Sequence, residues 1–442
     1  MNWKTTLILV IILLGVGFII GWQSTPSIQE VQPFDSPLIS RQSLVIVFSR
    51  PMNPVSVYAH FSLEPSIQGD LLWNEDFTRA SFTPDKSWPS GESIKVRIES
   101  GAKSRIGLPL LRDVTENIPI SPMSLIYLWP ADENSNLYIL NPDSGESQQL
   151  ISEEEGILDY TISGDGMEII YSHQEDGGTS SIVSFDRLTG SETVLVACSA
   201  GLCRSPQISP DEGYLAYEFI SNQPGIQPGI QVYDLETDIQ TDLGDTGVYL
   251  DNPTWSLSGW LSFYNHTRRG YEFWNPDADE TIFLPNETGG DGSWSPDGRH
   301  FVCSEIQFKS TNLAPRHLLK FDLIEQTLVD LSQGSFLEDL NPSFSPQGSY
   351  LAFSRKYLDP EDWTPGRELW VMDLEENQSI QLTDEIDFHH TSFAWHSDGD
   401  QLVYVRYNQA KLSEPPEIWL INRDGSDKVR LIINGFAPRW IP

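Results

Sequence analysis

The sequence predicts an all-β chain: a seven-bladed β-propeller preceded by a small β-sandwich and one N-terminal transmembrane helix. Three observations carry that expectation. A phrase made of an anchor residue, a Ser-Pro-Asp-Gly-like turn and an alternating strand is written six times between Tyr160 and Val405. A second phrase, a strand closed by a polar turn, follows each copy. The chain also opens on one long apolar run without charge.

That run lies in MNWKTTLILVIILLGVGFIIGWQST, where Lys4 is followed by no charge until Glu30. Leu7 to Trp22 is about long enough to cross a bilayer. Lys4 ahead of the span favours a cytoplasmic N-terminus and an exported remainder. A cleaved signal peptide shares the basic and apolar segments, but no clean small-x-small site follows Gly21. Residues 1–27 are therefore read as an uncleaved signal anchor. This places the chain in the cell membrane as a single-pass protein, its bulk extracytoplasmic.

Residues 28–35 bear Pro and Gln and read as a short linker. Residues 36–121 follow a grammar of their own. LVIVFSRPMNP from Leu44, FSLEPSIQGDLLWNEDFTRASFTP from Phe61 and IKVRIESGAKSRIGLPL from Ile94 are short strands between turn signals. The pattern is that of a small β-sandwich, and the domain is bounded at 28–121.

Residues 122–442 hold the repeat. Its copies are YTISGDGMEIIYS (Tyr160), PQISPDEGYLAYE (Pro206), PTWSLSGWLSFYN (Pro253), GSWSPDGRHFVCS (Gly292), PSFSPQGSYLAFS (Pro342) and FAWHSDGDQLVYV (Phe393). The anchors Ile162, Ile208, Trp255, Trp294, Phe344 and Trp395 stand 46, 47, 39, 50 and 51 residues apart, near the length of one propeller blade. Pro presets the first turn position, Asp or Ser bonds back to the backbone, and Gly takes the positive φ that ends the turn. In the second copy Glu212 holds the usual glycine place, with Gly213 one step late. The second phrase, as in IVSFDRLTG from Ile182 or LWVMDLEEN from Leu369, adds a strand and a polar turn before a short outer strand. One unit is thus four antiparallel strands. A seventh second phrase, LYILNPDSG from Leu137, lacks a full first phrase, and FAPRWIP at Phe436–Pro442 supplies the missing innermost strand. A ring closed this way has no open edges.

The Trp-Ser-Pro-Asp-Gly phrase with its following strand and Asp-led turn resembles the TolB-type (WD-like) β-propeller repeat family over about residues 122–442. That family includes periplasmic interaction scaffolds, propeller domains of prolyl-oligopeptidase-type enzymes and some lyases, so the resemblance implies fold more than function. The phrase VIVFSRPM with the later SFTPDKSWPSGESIKVRI resembles bacterial Ig-like domains of the SbsA type, with Ile94 where that family often has Tyr. Such modules imply a spacer or stalk.

The formal charge is −36. Residues 28–121 hold 11 acids and 9 bases, which leaves 52 acids against 17 bases in 122–442. A surface so acidic excludes nucleic acid as a partner. Cys198 and Cys203, in VACSAGLCRS, are spaced for a small disulfide loop that an exported location permits, and Cys303 in HFVCSE reads as a packed core thiol. No Cys/His spacing points to zinc, and no EF-hand loop is present.

In a propeller the loops joining second to third strands, and one blade to the next, gather on one face, opposite the tight turns. Here those loops are long, and they carry Trp363, Tyr407, Phe336 and Tyr249 as candidate binding-face aromatics. In TDEIDFHHTSFAWHSDG, His389 and His390 with Asp387 are the candidate ligands of a divalent cation at the channel mouth, while His396 takes the Ser place of a far turn. G-x-S-x-G, H-E-x-x-H and glycine-rich phosphate loops are absent, and no α/β-hydrolase domain follows the repeat within this sequence. The expected function is a non-enzymatic scaffold without a cofactor, engaging an extracytoplasmic protein, a peptide or a cell-wall glycan. Its rivals are a metal-assisted polysaccharide lyase or hydrolase and a structural envelope spacer.

Overall fold

The computed structural model describes residues 25–441 apart from 34–35, 176, 245–246, 279, 308–313 and 335. The segment Leu7–Trp22 lies outside the described residues, and among those described no helix is long and apolar enough to cross a membrane. The chain parts into two compact units between Met123 and Ser124.

The first unit contains β1 (Ile28–Gln32), β2 (Leu44–Phe48), α1 (Pro54–Tyr58), β3 (Phe61–Glu64), β4 (Gly69–Trp73), β5 (Arg79–Pro84), β6 (Ser93–Ile98) and β7 (Val114–Pro119). Two sheets, in the orders β1-β2-β5-β4 and β3-β6-β7, share one core. In β6, SIKVRI, the residues Ile94, Val96 and Ile98 are buried and their neighbours exposed, the period of two that points one strand face inward. The core of Leu44, Ile46, Phe48, Met52, Trp88 and Ile98 is closed to solvent. The one-turn helix α1 departs from the strand-only reading of this region. Asn53 caps it by accepting the Ser56 amide at 3.2 Å, and Pro54 occupies the first turn, where its missing N–H costs nothing.

The second unit is built of four-strand groups. These are β8 (Ser124–Trp129), β9 (Asn136–Leu140) and β10 (Ser147–Ile151); β11 (Ile157–Ile162) to β14 (Glu192–Cys198), with β12 (Glu168–Glu175) and β13 (Thr179–Asp186) between; and β15 (Gly201–Ile208), β16 (Tyr214–Ser221), β17 (Gly229–Asp234) and β18 (Ile239–Leu243). There follow β19 (Leu250–Trp255), β20 (Leu261–Asn265), β21 (Gly270–Asn275) and β22 (Glu280–Pro285), then β23 (Ser293–Trp294), β24 (His300–Ile306), β25 (Arg316–Asp322) and β26 (Thr327–Asp330). The last are β27 (Leu337–Phe344), β28 (Tyr350–Tyr357), β29 (Glu368–Asp373) and β30 (Gln378–Gln381), β31 (Phe388–Trp395), β32 (Gln401–Asn408), β33 (Glu417–Asn422) and β34 (Val429–Ile433), and finally β35 (Phe436–Ile441). Each group is antiparallel in chain order, and a single parallel bridge, Arg316 to Glu338, joins β23–β26 to β27–β30. β35 pairs with β8, Ile441 opposite Ser124, giving the order β10-β9-β8-β35.

Two local devices explain why the phrase is repeated. The turn serine and aspartate bind each other and the backbone: Ser209 Oγ donates to Asp211 at 2.6 Å and accepts the Tyr214 amide at 2.9 Å. The final turn residue is left-handed, Gly166, Gly298 and Gly348 at φ 67–76°, and Glu212 adopts φ 60° in the glycine place. The anchor tryptophans reach across to the neighbouring group. The indoles of Trp255, Trp294, Trp395 and Trp440 donate to the carbonyls of Gln207, Thr254, Ser343 and Ala394 at 3.0–3.2 Å. These carbonyls lie on first strands, beside bulges where Ser205, Asn252, Asn341, Ser392 and Ala437 take φ 48–55°. Pro206, Pro253, Pro342 and Pro438 follow four of those residues; lacking an N–H, proline is tolerated in a strand only where the ladder is broken.

Candidate functional site

The tight turns occupy one end of the strands in the second unit. At the other end, where first strands begin and second strands finish, stand the four candidate aromatics. Trp363 is 55% exposed between β28 and β29, with the Lys356 ammonium 4.5 Å above its ring. Phe336 is 40% exposed just before β27. Tyr407, near the end of β32, meets the His389 ring edge-on at 5.0 Å. Tyr249 stacks on His266 at 4.0 Å, beside β19, and makes its contacts in another group of strands.

Around the first three runs a chain of charges. Glu338 accepts from Arg367 at 2.9 Å and lies 3.5 Å from Arg316, and Arg367 also faces His389 Nδ1 at 3.5 Å. Burial, then the charges of Arg367, His390 and Lys356, press the His389 imidazole down to about 3, so it is neutral. Beneath them Arg355 grips Asp339 through two bonds of 2.7 Å, both side chains buried, and Ser332 donates to the same carboxylate at 2.6 Å. Arg406 bridges Glu417 at 2.9 Å and Glu385 at 3.1 Å.

The structure does not assemble His389, His390 and Asp387 as one group. Strand alternation on β31 turns the two histidines to different neighbours, and Asp387 is exposed. His390 is fully buried and lies instead with Glu368 and Glu385, one ligand atom of each falling within 4.8 Å of the others. Glu385 is held down near 2: burial pushes it up, but the His390 ring 3.4 Å away and the bond from Lys428 outweigh that. Burial raises Glu368. His396 sits at the tight-turn end, 2.9 Å from Asp398. Cys198 and Cys203 are joined as a disulfide, Cα atoms 6.0 Å apart, and Cys303 is a buried free thiol.

A polar cavity of about 380 Å³ opens along the first strands, lined among others by Asp291, Asn341, Ser343, Ser392 and Arg439. Asp291, exposed into the cavity, is raised by the protein walls around it and accepts a bond from Asn341 at 3.2 Å. Glu368, Arg355 and Arg406 were missed in the sequence. Their signal is a pair of matched cross-strand partners, Arg355 opposite Glu368 and Arg406 opposite Glu417, set inside otherwise apolar alternation in the last two units.

No protein-family model matches the chain. The alpha-2-macroglobulin of Pasteurella multocida (strain Pm70) is 33% identical over 75 residues, 16% of this chain, and the chain spans about 4% of that relative's length. Among solved structures, TolB from Acinetobacter baumannii is similar at 15% identity over 87% of this chain and 83% of that one, with a TM-score of 0.46. A structure from a study of two prolyl endopeptidases is similar at 14% identity over 70% of this chain and 49% of that one, with a TM-score of 0.53. The β-propeller domain of the Trilobed protease from Pyrococcus furiosus is similar at 12% identity over 62% of this chain and 82% of that one, with a TM-score of 0.47. At such identities the likeness concerns the fold alone, and of these three it rests on the structure from the prolyl endopeptidase study.

Proposed function

We propose that the chain is a membrane-anchored, extracytoplasmic binding scaffold without enzymatic activity. In this reading residues 124–441 form a seven-bladed propeller closed by β35, residues 28–121 form an Ig-like stalk, and Leu7–Trp22 is the anchor. The ligand is an extracytoplasmic protein, peptide or wall glycan. The observation that carries the reading is the contrast between strand ends. The tight turns spend their polar groups on themselves, whereas the opposite end offers the exposed rings of Trp363 and Phe336 beside Lys356 and Arg367. A metal-assisted reaction at His389 and His390 is disfavoured, because both imidazoles are shut away from any dissolved substrate.

The test compares detergent-solubilised full-length variants for saturable binding to envelope protein and wall-glycan fractions. Trp363→Ala with Phe336→Ala is expected to abolish binding, while Leu188→Ser, in a tight turn, retains it. Equal binding by both variants, or loss in the turn variant alone, overturns the placement.

A further inference from the structure

Two buried side chains, His390 and Glu368, and the partly buried Glu385, at the junction of β27–β30 with β31–β34, each spend one polar atom on a fixed partner and leave the other bare. His390 Nδ1 lies 2.8 Å from the Arg367 carbonyl, which can only accept, so Nδ1 carries the hydrogen and Nε2 is the ring nitrogen free to offer a lone pair to a metal. Thr383 donates to Glu368 Oε2 at 2.6 Å, its hydroxyl set by the Leu369 amide. Arg406 and Lys428 both donate to Glu385 Oε1. Among the described residues, His390 Nε2, Glu368 Oε1 and Glu385 Oε2 are left without a hydrogen-bond partner, and with them the buried hydroxyl of Tyr404, whose ring lies 5.4 Å from that of His390.

Bare acceptors this deep each cost about 1–3 kcal/mol. Glu368 Oε2 lies 3.6 Å from His390 Nδ1 and Glu385 Oε2 3.4 Å from Nε2, and one ligand atom of each residue falls within 4.8 Å of the others, so a positive centre among them would compensate all three. A single water offers two hydrogens to three acceptors. A protonated His390 would serve Glu385, 3.4 Å from Nε2, and would leave Glu368 Oε1 bare. One divalent cation serves all three. With Zn–N and Zn–O bonds of about 2.0–2.2 Å, two ligand atoms on a tetrahedral ion stand roughly 3.3–3.5 Å apart, the spacing already present between His390 Nε2 and Glu385 Oε2. An imidazole with two carboxylates suits zinc better than calcium, which takes six to eight oxygens. The outer bonds from Arg367, Thr383, Arg406 and Lys428 are the orienting partners such a ligand set requires.

We propose that Glu368, Glu385 and His390 form a structural zinc-type site, with Tyr404 at or beside its fourth position, that clasps the β27–β30 group to the β31–β34 group. The site is distinct from the ligand-binding end proposed above and stands independently of it. With His390 and Glu368 buried and Glu385 only partly exposed, it serves rigidity and not catalysis.

The test uses the full-length protein, stripped with a chelator and titrated with Zn²⁺ alone or Ca²⁺ alone, reading stoichiometry by calorimetry and the thermal midpoint. Expected are one tight Zn²⁺ per chain, a midpoint raised by several degrees as linkage requires, and no response to Ca²⁺. Glu368→Gln and His390→Gln abolish tight binding. Thr383→Val, which removes no ligand but frees Glu368 and leaves the Leu369 amide unpaired, weakens it roughly tenfold or more and tests the assignment even where a ligand variant fails to fold. Absence of tight Zn²⁺ binding in the unaltered chain overturns the proposal, as does unchanged affinity in folded Glu368→Gln, His390→Gln or Thr383→Val.

Discussion

The junction of β19–β22 with β23–β26 and that of β27–β30 with β31–β34 solve one packing problem with different chemistry. The first is a knot of rings. Phe273 stacks on Phe321 at 5.5 Å and meets Trp294 and Phe301 edge-on at 5.4 and 5.2 Å, with Tyr264 and Tyr271 alongside. The second has an apolar layer of Leu369, Trp395, Leu402 and Tyr404, but threads Glu368, His390, Glu385 and Arg406 through it, with Asp339 and Arg355 close by. Rings gain stability from burial alone, whereas buried charges are costly unless every partner is present. The charged junction is therefore where the molecule has bought geometry instead of stability, and it lies under the end that carries the exposed aromatics.

The contrast is broken most forcefully from the ring side. Phe273 is fully buried, and Phe273→Ala should cost about 4 kcal/mol through lost transfer energy and the cavity left behind, read as a fall in the denaturant midpoint of the second unit. On the charged side, Arg355→Met should cost about 3 kcal/mol, because it strands the Asp339 carboxylate, which has no exposure. The two sides differ in how the loss is repaired. Arg355→Met combined with Asp339→Leu should recover most of it, since removing both charges removes the desolvation cost as well. No recovery in the double variant would mean that the pair stabilises the fold by itself, and the contrast would fail.

What could be read from the sequence divides along the same line. The turns were legible because Ser209, Asp211 and Glu212 act within five residues of one another, so their chemistry is local. The alternation in YLAFS and QLVYV was legible for the same reason. The tryptophan anchors were visible as a pattern, yet their role was not: each indole finds its carbonyl 40–52 residues away, across a junction that exists only after the groups dock. His390 was singled out together with its neighbours in sequence. His389 and Asp387 are its neighbours in sequence, whereas Glu368 comes from the preceding group and Glu385 from the connection between them. α1 is not legible because five residues make little more than one turn, too short for a helical period to show behind its Asn-Pro start.

The smallest expected effect sharpens the comparison by placing one charge on the aromatic side. Asp291 precedes β23 and is exposed into the cavity it lines, and the protein walls around it raise its carboxyl despite the bond from Asn341. A carboxyl whose folded pKa exceeds its unfolded value of about 3.9 holds its proton longer in the native state, so stability falls as pH rises through that window, and the penalty persists above it. Asp291→Asn keeps an oxygen to accept from Asn341 and removes the charge. Because solvent reaches the side chain and screens it, its thermal midpoint should stand only about 1 °C above the unaltered protein at pH 7 and converge with it below the window, near pH 3. A variant less stable at pH 7 would show that the Asp291 charge is compensated within the cavity, and the aromatic junction would then share the electrostatic design of its charged counterpart.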